Sequence, residues 1–155
     1  MFKIIINSVE ATEKLGENIG RLLNGGEIIC MTGDLGAGKT TLSQSIAKGL
    51  DVDEYVTSPT FTIINEYEGR CPLYHFDVYR INDIDEMYDL GYEEYFYSDG
   101  VTIIEWANII EDILPKDKLY IEIKKGSSAD EREILISGYG DEYERIIEGL
   151  HEMYK

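Results

Sequence analysis

A chain of 155 residues with 43% hydrophobic side chains can bury the core of one compact domain. No run approaches the roughly 18 apolar residues of a membrane span, and the stretch behind Met1 is too short for a secretion signal. With 31 acidic against 14 basic side chains, a formal charge of -17 repels a polyphosphate backbone and argues against autonomous nucleic-acid binding.

Taken in order, Ile4 to Ile6 reads as a first strand. Leu15, Ile19, Leu22 and Leu23 then mark one face of a helix that Gly25-Gly26 terminates. Glu27 to Met31 is a buried strand, and a helix is expected from about Lys39 to Lys48, stopped by Gly49. Further strands fall at Phe61 to Tyr67, Leu73 to Asp77, Val101 to Glu105, Leu119 to Lys124 and Ile134 to Ser137. Short helices fill the gaps at Ile84 to Leu90 and Ala107 to Leu114, and a last one runs from Asp141 to Tyr154. In that last helix Asp141 is placed to cap the free amides with Glu144 at the capping-box position.

Strands alternating with helices give an α/β sandwich. The apparent hairpin of 61 to 67 with 73 to 77, joined through Glu68-Gly69-Arg70, makes the central sheet mixed but largely parallel, with helices flanking it. Without repeats or linkers, residues 1–155 read as a single domain. Cys30 and Cys71 lie in apolar runs without metal-ligand spacing and read as small core residues in a reducing cytoplasm.

The segment Gly33-Asp34-Leu35-Gly36-Ala37-Gly38-Lys39-Thr40 satisfies G-x-x-x-x-G-K-[ST] between an apolar strand and a helix, the setting of a P-loop NTPase. Its glycines let backbone N–H groups turn inward around a phosphate, and the following helix N-terminus adds partial positive charge. Lys39 is then the cation for the β and γ phosphates and the Thr40 hydroxyl a Mg²⁺ ligand. Guanine-selective members carry N-K-x-D; Asn82-Asp83-Ile84-Asp85 puts an acid where that Lys belongs, which favours ATP.

Such a site needs a carboxylate near the metal and a group that orients water. Asp77 and Glu105 each close an apolar strand at its carboxyl end, where α/β sheets bind ligands. His75 reads as a packed or hydrogen-bonded strand residue, and Thr57-Ser58-Pro59-Thr60-Phe61 stands where switch loops meet a γ phosphate.

Together, Gly33 to Thr41, Thr57 to Phe61, His75-Phe76-Asp77-Val78-Tyr79-Arg80, Leu90-Gly91-Tyr92-Glu93-Glu94-Tyr95 and Glu105-Trp106-Ala107 resemble the TsaE family. The resemblance departs in the acidic, tyrosine-rich stretch Tyr88 to Asp99. It implies an ATPase that joins TsaB and TsaD in forming threonylcarbamoyladenosine in tRNA, resets that complex between turnovers, and meets tRNA only indirectly. It implies nucleotide contacts from Gly33 to Thr41, with Thr60 in the switch loop and Trp106 beside them, and Thr40, Asp77 and Glu105 near the metal and water. The competing readings are a small P-loop kinase, against which Arg21, Arg70, Arg80, Arg132 and Arg145 form no lid-like cluster, and a nucleotide-dependent binding module without productive hydrolysis.

Overall fold

A computed structural model describes residues 1–34 and 36–155. Seven strands form one sheet: β1 (Phe2–Ile6), β2 (Ile28–Gly33), β3 (Ile64–Glu68), β4 (Pro72–Asp77), β5 (Val101–Glu105), β6 (Lys118–Lys125) and β7 (Arg132–Tyr139). Their spatial order is β1-β7-β6-β2-β5-β4-β3. The middle four, β6-β2-β5-β4, are parallel, whereas β3 pairs antiparallel at one end and β7 and β1 do so at the other. This is the mixed, largely parallel sheet that the alternating pattern implies.

Helices cover both faces because the central strands are apolar on both sides, as parallel strands must be. In β2, Ile29 and Met31 face α1 (Val9–Leu22), α2 (Lys39–Gly49) and α5 (Asp141–Met153), packing with Leu15, Ile19, Leu42, Ile46 and Leu150. Ile28 and Cys30 point the other way, into a second cluster with Phe76, Ile104, Met87 and Phe96. That cluster is covered by α3 (Asp85–Asp89), α4 (Tyr92–Phe96) and a 3₁₀ segment over Ala107–Ile113. Among the described residues, no helix is long and apolar enough to cross a membrane.

Two local expectations need correction, and one helix was not anticipated. Phe61 to Ile63 is not strand: the Pro59 carbonyl accepts the Ile63 N–H at 2.6 Å, closing a turn, and Ile63 sits at φ 70°, so pairing begins only at Ile64. Asp141 does not cap the last helix. Gly140 holds the cap position at φ 103°, its carbonyl accepting from Glu144 N–H at 2.9 Å, and Asp141 falls in the first turn, where its charge still suits the helix dipole. Within the acidic stretch, Tyr92–Phe96 is helical because Tyr92 and Phe96 lie on one side and are buried, a pair obscured in the sequence by surrounding tyrosines and acids.

Candidate functional site

Strand β2 runs straight into the glycine-rich loop and then into α2, so the loop sits at the carboxyl edge of the sheet above its central strand. Gly36 (φ 77°) and Gly38 (φ 112°) take left-handed conformations that L side chains rarely adopt. A Cβ on Gly38 would meet nothing within 4 Å, so the glycine keeps open space above the helix start. Ala37 instead turns inward; it is buried, and its carbonyl accepts from Arg132 Nε at 3.0 Å, tying the back of the loop to β7. Leu35 lies outside the described residues.

Lys39, the first residue of α2, is buried and donates through Nζ to the carbonyls of Gly33 (2.7 Å) and Asp34 (2.8 Å). The same ammonium lies 4.0 Å from the centre of the Trp106 ring. Burial lowers the Lys39 pKa, while the negative charges of Glu105, Asp34 and Asp77 oppose that shift and favour the cation. Trp106 reaches this position because it adopts φ 63°, reversing the chain directly after β5. Its ring also meets that of Tyr79 at 4.7 Å.

The two strand-end acids converge. Glu105 is 2% exposed: its Oε1 accepts from the Thr40 hydroxyl (3.2 Å), and its Oε2 from Ser43 Oγ (3.1 Å) and His75 Nε2 (2.5 Å). Asp77 is 5% exposed and accepts from the Tyr79 N–H (3.0 Å) and the Thr60 hydroxyl (3.3 Å), the latter bonded in turn to Ser58 Oγ (2.7 Å). These acids, Gly36, Gly38 to Thr41 and Thr60 line one cleft of about 400 Å³. A second cavity, of about 540 Å³, lies across Trp106 and is lined by Gly33, Asp34, Asn108 and Lys124.

Of the described residues expected from the sequence, Gly36, Gly38 to Thr41, Thr60, Asp77, Glu105 and Trp106 line the main cleft, Gly33 and Asp34 line the cavity across Trp106, and Ala37 faces inward. Ser58, expected only as part of the 57–61 turn, and Tyr79 and Arg80, to which no role was assigned, also line the cleft, and the unanticipated Ser43 anchors Glu105. Tyr79 and Arg80 directly follow Asp77 within a block whose spacing gave a usable signal. Ser43 carried none, because a serine one turn past Thr40 is also an ordinary helix residue.

Among the described residues, no three His, Cys, Asp or Glu side chains form a metal cage. What is present is a hydroxyl and two carboxylates beside an anion-binding loop, a hard-oxygen set that suits Mg²⁺ completed by phosphate oxygens and water.

The family model described as threonylcarbamoyl adenosine biosynthesis protein TsaE matches residues 6–134. The chain is 46% identical over 142 residues to the tRNA threonylcarbamoyladenosine biosynthesis protein TsaE of Bacillus subtilis, covering 91% of this chain and 88% of that protein. It is 38% identical over 122 residues to the protein of the same name from Treponema pallidum, covering 79% and 90%. The crystal structure of Bacillus subtilis YdiB aligns with a TM-score of 0.85 and 38% identity, over 99% of this chain and 96% of that one.

Proposed function

The chain belongs to the TsaE family, and from that premise we propose that it hydrolyses ATP in the cytoplasm as an accessory to threonylcarbamoyl transfer onto adenosine in tRNA. In this reading residues 1–155 act as one ATPase domain, work with TsaB and TsaD to reset their complex between turnovers, and meet tRNA only through it. The observation that carries the reading is the convergence of Lys39, Thr40, Asp77 and Glu105 on one cleft under a glycine-rich loop.

In this assignment the inward N–H groups of the loop and the Lys39 ammonium hold the β and γ phosphates. Thr40, Asp77 and Glu105 would hold Mg²⁺, which neutralises charge on the migrating phosphoryl group when bound. Glu105 orients the attacking water, and Thr60, already on Asp77, reports the γ phosphate to the 57–61 loop. The cavity across Trp106 takes the base and ribose, with Asn108 among its lining residues as a polar partner. Arg80 is the single arginine lining the main cleft among the described residues, which leaves room for a partner to supply a further cation.

The test is phosphate release measured for the chain alone, with candidate phosphoryl acceptors, and with TsaB plus TsaD. Slow release alone and clear stimulation by the two proteins supports the reading. Transfer to an acceptor would turn it into a kinase, and nucleotide binding without release under any condition would make it a binding module.

A further inference from the structure

His75 is fully buried in β4, the last of the four parallel strands, on the face that α2 covers, together with Leu73 and Asp77 of the same strand. Its Nε2 lies on Glu105 Oε2, whereas its Nδ1 is buried without any hydrogen-bond partner. A buried polar nitrogen left bare requires a reason, since such atoms are nearly always satisfied. The tautomer with hydrogen on Nε2 and a bare Nδ1 fits both observations: it gives the carboxylate a donor and puts no N–H in the unpartnered position.

The two oxygens of Glu105 are therefore unequal. The inner one lies on His75 Nε2 and within reach of the Ser43 hydroxyl, whose single hydrogen is shared between this oxygen (3.1 Å) and the Lys39 carbonyl (2.9 Å). The outer one has a single partner, the Thr40 hydroxyl, and borders the cleft. We propose that His75 is a positioning residue: from inside the sheet it pins the inner oxygen of Glu105, so that the outer oxygen and Thr40 are presented together to Mg²⁺ and water. This rests on the assignment of the cleft as an ATP and Mg²⁺ site. Packing alone would be served equally well by an apolar side chain, which would not leave a nitrogen orphaned.

Three substitutions separate positioning from packing. His75→Leu keeps bulk without a donor. His75→Asn stays polar but is too short to carry its amide to the level of Nε2, and His75→Gln restores a donor there. Each is titrated with Mg²⁺ while binding of a fluorescent ATP analogue is followed, and turnover is measured in parallel.

The Leu and Asn variants are expected to raise the Mg²⁺ concentration for half-saturation, and to lower kcat, by about 10-fold to 100-fold, as loss of the group behind a metal ligand does. Nucleotide affinity without metal should be unchanged, and Gln should recover most of the loss. If His75→Leu fails to fold, the comparison of Asn with Gln carries the same contrast. Parental Mg²⁺ dependence in the Leu and Asn variants, or equal losses with and without metal, overturns the proposal. If the Mg²⁺ shift occurs while no form of the chain, with or without TsaB and TsaD, releases phosphate, positioning stands and the ATPase reading falls.

Discussion

Asp77 and Glu105 are direct register partners across the parallel pair β4 and β5, so one step of the sheet sets two carboxylates side by side at the lip of the cleft. Their environments differ. Asp77 bonds to the Thr60 hydroxyl of the 57–61 loop and the N–H of Tyr79, whereas Glu105 bonds to α2 and to His75.

That difference predicts separable losses. Glu105→Gln keeps shape and most hydrogen bonds and should retain ATP binding while lowering turnover by about 10²-fold or more, the scale of a lost general base or water-orienting group. Asp77→Asn should in addition free the 57–61 loop, seen as faster proteolysis there. Equal turnover of Glu105→Gln and parent, measured with TsaB and TsaD present, would move Glu105 to a structural role.

Lys39→Ala removes a charge-assisted contact to phosphate and should cost at least about 2 kcal/mol of nucleotide or transition-state binding. Hydrolysis should nearly vanish. Calorimetric titration with ATP checks the affinity, and parental values for both affinity and rate would show that the phosphates bind elsewhere.

Trp106 is the single tryptophan and carries the Lys39 ammonium on its ring. ATP with Mg²⁺ draws that ammonium toward phosphate, so the tryptophan emission should change on binding, and ADP should change it to a different extent. In Lys39→Met the nucleotide-linked change should largely disappear, at nucleotide concentrations that keep the site filled. A response that survives the substitution undiminished would sever the link between the two side chains.

Alkali should unfold this chain early. Burial pushes the Cys30 thiol and the Tyr143 hydroxyl each up to about 12, from ordinary values of about 9 and 10. A raised folded-state pKa means that the native form holds its proton where the unfolded form has lost it, so stability is complete below about pH 9 and falls between about pH 9 and 12. In Cys30→Ala the loss of stability should become shallower from about pH 9, with burial of the Cys71 thiol, also pushed up, and of Tyr143 carrying what remains. Urea midpoints measured across this range check both points, and a midpoint that rises with pH would contradict the sign.

At a formal charge of -17, bare tRNA should not bind at physiological salt. Filter binding at submicromolar tRNA is the check, and retention without TsaB and TsaD would reinstate direct contact.

Much of the site was legible because P-loop chemistry is written in consecutive residues: the loop, the helix behind it and the two strand-end acids all follow from local pattern and period. The boundary of β3 was not, since Phe61 to Ile63 looks like β-forming sequence, whereas the Ile63 bond to Pro59, the Phe61 ring stacked on Arg80 and the Thr60 bond to Asp77 hold this segment in a turn. The cap at Gly140 was hidden for a similar reason: Asp141 has the better capping chemistry, but the turn out of β7 needs a left-handed residue first. The clamp on Glu105 joins residues 62 and 30 positions apart in the chain, a distance at which periodicity carries no information.

The placement of β3 at the end of the strand order has a kinetic consequence. One wall of the cleft, with the phosphate loop, Glu105 and Trp106, grows from strands that have parallel neighbours on both sides. The other wall, residues 57–63, leads into a five-residue edge strand with one partner. Amide protons of β2 and β5 should therefore exchange only through global opening, while those of β3 and the preceding turn exchange through local opening at much lower free energy. Nucleotide should slow exchange mainly on the edge side, so the cleft works as a fixed jaw and a moving one.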